Sequence, residues 1–198
     1  MVSTVEVFLL WSTPKPEEYI ACEVLKTENV SPSDREAVLR EIIKSENPVA
    51  LEAASATFLL KDTSVASLLQ LTLHCSLTVT TLPNPSYKRQ GFYISHALNK
   101  YGDLGMEFFS LMLKSCELYE KMINLGLTEY EAGLVLPCAV NVTAIVSANF
   151  REWLDVLRMH FRPEVLLEIH DICAKIGKRL FSIAPIIFEA YGSIATST

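Results

Sequence analysis

The stretch from Tyr119 to Tyr191 constrains the fold most strongly. It runs from a helix end at Tyr119–Gly126 through LTEYEAGLVLP and NVTAIVSANF into REWLDVLRMHFRPEVLLEIHDICAKIGKRLFSIAPIIFEAYG. Gly126 suits the position just past a helix C-terminus, where a left-handed backbone is needed. Thr128 and Glu131 then stand three apart, the spacing of a reciprocal capping box that opens the next helix. Pro137 stops that helix, because proline has no N–H to continue the ladder. Val140–Ser147 alternates as a strand does, and Asn149 caps a helix from Phe150 to His160. Pro163 opens a last helix expected to run to about Ala190. A capped helix, a strand and two long helices in this order predict one folded unit, the floor of whatever site the chain holds.

The segments before it fill in the class. Val2–Trp11 is β-branched and aromatic, ends at turn residues and predicts a first strand. PEEYIACEVLKTE has proline and two acids in its first turn, as a helix N-terminus does. Ser33 with Glu36 predicts a capping box for a second helix, whose apolar face is Ala37, Val38, Leu39, Ile42 and Ile43. After the break at Asn47-Pro48, Leu51–Lys61 is strand-like by residues 57–60. Asp62-Thr63-Ser64 caps a helix expected to reach His74, with Val65, Leu68, Leu69, Thr72 and Leu73 on one face. SLTVTTLPNPSYKRQGFY has no helical period and predicts a long ordered loop, with a short strand at Leu77–Thr81; loops of that length in compact domains are often functional. Helical spacing returns from Ser95 to Asn124, with an interruption at Gly102–Gly105 and a stripe of Phe108, Leu111, Met112, Cys116, Tyr119 and Ile123. Long helices around a few short strands give an α+β class, as one domain over residues 1–198.

Composition narrows the function. Half of the 198 residues are apolar and a fifth are charged, so the chain is expected to bury a sizeable core, with surplus apolar surface left for other subunits. A net charge of −6 and a pI near 5.3 argue against sequence-independent nucleic-acid binding, which needs a basic face. The five cysteines are scattered, without a Cys-x-x-Cys pair, so neither a disulfide framework nor a metal site is expected and a cytoplasmic location is. Cys75 reads as a small buried residue sooner than as a reactive thiol. No basic start precedes the first apolar run, and no apolar stretch approaches the roughly 20 residues that cross a bilayer. Phosphate-binding glycine loops, metal-ligating His-Glu-x-x-His and nucleophile-elbow patterns are all missing.

From Tyr119 onward the residues carry a resemblance. A Tyr-Glu helix end, a glycine and an acidic turn lead to Ala-x-x-Val-Leu-Pro. A strand follows, then an Asn-x-Arg helix start at Asn149 and Arg151, and a helix pair with Glu168-Ile169. In this order they are similar to the flavin-dependent thymidylate synthases, and the earlier elements, including Thr57-x-Leu59 and Gln70, fit the same order. The resemblance implies a homotetramer that binds FAD between subunits and methylates dUMP with methylene-tetrahydrofolate. It implies cofactor contacts from His74, Asn149 and Arg151, and pyrimidine-nucleotide contacts from Gln70, Ser86, Lys88 and Arg89. His160 and Ser86 take the catalytic positions.

Several matched positions depart from the family pattern. Where the family has Arg-His-Arg, this chain has Leu73-His74-Cys75, and Ser86 with Lys88 or Arg89 stands in for its Ser-x-Arg. The arginine before Val-Leu-Pro falls at Gly133, and the arginine against the uracil edge at His160. The family's Glu-His pair becomes Glu52-Ala53. Losing a guanidinium costs about 1.5–3 kcal/mol per charge-assisted contact. Histidine, unlike arginine, also gives up its charge near neutral pH; Arg158 or Arg162 beside it are the cations that would have to replace it. Two functions therefore stand open: a FAD-dependent thymidylate synthase, and a catalytically silent nucleotide-binding, flavin-binding or assembly protein in a homo- or hetero-oligomer with an intact synthase.

Overall fold

The computed structural model describes residues 5–46, 48–74, 76–82, 91–95, 98, 100–160 and 166–192. Among them four strands form one antiparallel sheet in the order β1-β2-β4-β3: β1 Glu6–Ser12, β2 Ser55–Ser64, β3 Thr78–Thr81 and β4 Asn141–Asn149. Seven α-helices accompany it: α1 Pro16–Leu25, α2 Pro32–Lys44, α3 Val65–Leu71, α4 Gly102–Asn124, α5 Glu129–Gly133, α6 Phe150–His160 and α7 Leu167–Ile183. Single 3₁₀ turns lie at Val49–Ala53 and Glu189–Tyr191. The α+β expectation holds, and no helix among the described residues is long and apolar enough to cross a membrane.

The period-2 pattern of the central strands places one face in the core. Ala56, Phe58 and Leu60 of β2 are wholly buried, and opposite them stand Ala148, Val146 and Ala144 of β4 in direct register. Trp153 of α6 lies over this face. Its indole N–H donates to the Ala56 carbonyl at 3.1 Å, and its ring meets Phe58 edge-on with centroids 5.2 Å apart. Such aromatic contacts add about 0.5–1.5 kcal/mol to the burial itself. Ile169, Ile172, Ile176 and Leu180 recur along α7 at helical spacing and complete the layer. Glu17 of α1, itself buried, accepts from the backbone N–H groups of Ile186 and Ile187 at 2.6 and 3.1 Å, and so fixes the chain beyond α7.

Local signals hold where one side chain decides. Thr128 and Glu131 form the capping box in both directions. Gly126 has φ +89° directly after α4, and Asn149 Oδ1 accepts from the Glu152 N–H at 2.8 Å to cap α6. Elsewhere the structure corrects the sequence. The cap of α2 is Ser31, not Ser33: its hydroxyl accepts from the Asp34 N–H at 3.2 Å, and Pro32 takes the first helical position. α3 stops at Leu71 instead of His74, because Leu73 and His74 bond three residues back and tighten the turn. Its buried face is Ser67, Leu68 and Leu71, while Leu69 and Leu73 are exposed. α4 starts at Gly102, so the expected interruption is its beginning, and Leu111 of the expected stripe is exposed.

α5 ends at Gly133, four residues before Pro137, as Leu134, Val135 and Leu136 also bond three residues back. α7 ends at Ile183 rather than near Ala190. Pro185 restricts the residue before it, and Ala184 leaves the helical region at φ −145°, ψ 71°. The strands are β1 at Glu6–Ser12 for an expected Val2–Trp11, and β4 running two residues further than Ser147. Pro163 lies outside the described residues.

Trp153→Ala removes both the indole hydrogen bond and a fully buried ring. The expected loss is about 3–5 kcal/mol of unfolding free energy, read as a lower urea midpoint by circular dichroism.

Candidate functional site

β2 runs into α3 without an intervening residue, and this corner sets the site. Ser64 is both the last strand residue and the helix cap, its hydroxyl accepting from the Ser67 N–H at 3.1 Å. The carboxylate of Glu168, in the first turn of α7, is buried against the same corner. It accepts from the Ser64 N–H at 2.8 Å, the Ser67 hydroxyl at 2.6 Å and the Ser64 hydroxyl. Charge-assisted bonds of this kind contribute about 1.5–3 kcal/mol each.

With the corner fixed, His74 after α3 reaches the end of α6. Its Nε2 lies 3.0 Å from Nε2 of His160, with the rings tilted by 59°. On its other side, His74 Nδ1 stands 3.4 Å from Oε1 of Glu152. Glu152 and His160 are eight residues apart on α6, two turns along one side, so His74 bridges them. Both histidines are buried, and Nδ1 of His160 is buried with no hydrogen-bond partner among the described residues. Leaving such a nitrogen unsatisfied costs about 1–3 kcal/mol. His160 is pushed down to about 4, first by burial, then by positive charge on His74 and on His170 of α7. It is therefore a neutral imidazole at pH 7.

The other candidate positions separate. Arg151 donates from Nη1 to Glu52 Oε1 at 2.6 Å, a half-exposed ion pair across the 3₁₀ turn. Asn149 has its amide oxygen in the α6 cap. Both sit at the start of an 11-residue helix whose far end is His160, about 15 Å away at 1.5 Å per residue. Gln70 is half-buried in the last turn of α3, close in sequence to His74. Gly133 faces open space: a side chain there would meet nothing within 4 Å. Ser86, Lys88, Arg89, Cys75 and Arg162 lie outside the described residues.

Three carboxylate and imidazole groups were not singled out in the sequence: Glu152, Glu168 as a buried acceptor, and His170. Glu152 carried a signal, since it shares a side of α6 with His160; Glu168 and His170 needed the tertiary fold.

FAD needs a positive or N–H-rich cradle for its pyrophosphate. Among the described residues named for it, Arg151 is the one cation and its guanidinium is paired with Glu52. Asn149 caps α6, and His74 is held between Glu152 and His160. This set does not fit a pyrophosphate.

The profile of the family described as thymidylate synthase complementing protein matches residues 8–186. The chain belongs to this family, that of the flavin-dependent thymidylate synthases. The flavin-dependent thymidylate synthase of Geobacter sulfurreducens is 25% identical over 201 positions, covering 94% of this chain and 87% of that one. Its counterpart in Pyrococcus horikoshii is 28% identical over 187 positions, covering 86% and 77%. In three dimensions the chain is similar to PolB, a UMP/dUMP methylase of Streptomyces cacaoi solved with 5-Br dUMP. The TM-score is 0.81 at 16% identity, over 97% of this chain and 96% of that one.

The depressed imidazole predicts acid sensitivity. Folded His160 stays neutral to about pH 4, whereas an unfolded histidine takes its proton near 6.5. Between these values the unfolded chain binds more protons, so acid favours unfolding: the contribution is whole above 6.5 and lost as pH falls toward 4. From pH 7 to pH 5 this amounts to about 2 kcal/mol, read as a steeper fall of the urea midpoint in the native chain than in a His160→Asn variant.

Proposed function

We propose that this chain is a pyrimidine-nucleotide-binding and assembly member of its family that has lost FAD-dependent thymidylate synthase turnover. The observation that carries this reading is His160: at the position matched to the family's uracil-edge arginine stands a buried, neutral imidazole tied to His74. A fixed guanidinium there would favour negative charge on the pyrimidine ring and make C5 nucleophilic. A neutral imidazole supplies no such charge. Leu73 and Cys75 in place of two further arginines, and Arg151 paired with Glu52, support the same reading for the cofactor. What remains for a uridylate is Gln70 and His74 near the α3 end, with Ser86, Lys88 and Arg89 of the loop as its phosphate ligands.

The chain works as one domain within an oligomer in the cytoplasm, with itself or with an intact synthase subunit. Support for assembly comes from α4, which is 23 residues long yet buries only Met112, Cys116 and Tyr119. Met106, Phe109, Leu111, Leu113 and Leu118 of the same helix are exposed, more apolar surface than a free helix face usually carries.

Turnover and binding test the reading separately. Purified protein given FAD, a flavin reductant, methylene-tetrahydrofolate and dUMP is expected to form no dTMP above the protein-free control, while dUMP still binds by calorimetry. Formation of dTMP, or growth without thymidine of a strain lacking thymidylate synthase, overturns the loss of turnover. Absence of any dUMP heat overturns nucleotide binding.

A further inference from the structure

The Nε2–Nε2 contact between His74 and His160 has a consequence for protons that family membership does not supply. A neutral imidazole has one N–H and one bare nitrogen, so in a contact between two Nε2 atoms one ring donates and the other accepts. Glu152 breaks the symmetry. Its carboxylate lies 3.4 Å from His74 Nδ1, and its negative charge favours the tautomer of His74 with the N–H at that atom. Neutral His74 then presents a bare Nε2, His160 must donate from Nε2 across 3.0 Å, and Nδ1 of His160 keeps its lone pair.

We propose that Glu152, His74 and His160 form a one-proton relay that inverts His160 Nδ1 from hydrogen-bond acceptor to donor when the pair is protonated. A hydronium ion of the solvent gives its proton to His160 Nδ1 and becomes water; the N–H at His160 Nε2 breaks, and its proton forms an N–H with His74 Nε2. No electrons are gained or lost. The positive charge comes to rest on His74 beside Glu152, and His160 is neutral again with its bare nitrogen at Nε2.

The groups around the pair agree with that destination. On the α6 side, Glu152 faces His74, while Arg158 and Asp155 pair with each other at 3.6 Å on the exposed side. From α7, His170 adds positive charge near His160 and opposes a cation there. The Glu168 carboxylate of the same helix is taken by Ser64 and Ser67. Among the described residues no carboxylate is paired with His160 itself, and its buried Nδ1, without a partner there, is the atom whose polarity changes. The site's hydrogen-bond polarity is thus set by pH, whether or not a nucleotide binds.

Two-bond proton–nitrogen correlation spectra of the full chain, labelled with ¹⁵N-histidine, read the position of every bare imidazole nitrogen. Above neutral pH, His160 is expected to show its bare nitrogen at Nδ1. As pH falls through the folded range, the bare nitrogen of His160 should move to Nε2 while that ring stays uncharged. Glu152→Gln keeps the shape and removes the charge, and should move the inversion to lower pH. The relay is overturned if His160 keeps the same bare nitrogen throughout the folded range, if it becomes cationic before His74, or if Glu152→Gln leaves the transition where it was. The wild-type spectra decide the first two outcomes even if the variant does not fold.

Discussion

The carboxylate of Glu168 reaches from the first turn of α7 into the corner where β2 becomes α3, and takes three hydrogen bonds there from Ser64 and Ser67. A buried charge is tolerable only when it is satisfied in this way. The grip ties the C-terminal helix to the sheet and fixes the direction in which α3 leaves it. The direction of α3 decides where His74 falls, and α7 also carries His170 toward the same point. Without this anchor the Nε2–Nε2 contact would depend on two short helix ends, which are the parts of a helix most prone to fray.

The fold was legible wherever one residue's chemistry is sufficient. The hydroxyl and carboxylate of Thr128 and Glu131, the glycine at 126 and the amide of Asn149 act on backbone groups within three residues, so spacing alone reveals them. α3 departs from its local pattern because its length and buried face follow from contacts remote in sequence. Ser67 is turned inward by a carboxylate 101 residues away, against the apolar pattern that favoured Leu69 and Leu73. The site was legible in part. His74 and His160 were both marked, yet nothing in the sequence brings together residues 86 positions apart. Glu152 looked like an ordinary charge on a helix that carries several.

Family membership and site chemistry point in different directions here. The family's sequence pattern spans residues 8–186, and the backbone follows that of PolB over 97% of the chain. At His160 the buried imidazole is neutral, held against His74 and under the influence of His170. An arginine imposes its field on whatever enters.

The strand-to-helix corner has one more consequence. Because Ser64 belongs to both β2 and α3, this junction has no slack to absorb a change of length. An inserted residue would turn α3 by about 100° and swing His74 away from α6. Side chains along this part of the chain can change in chemistry while their number cannot.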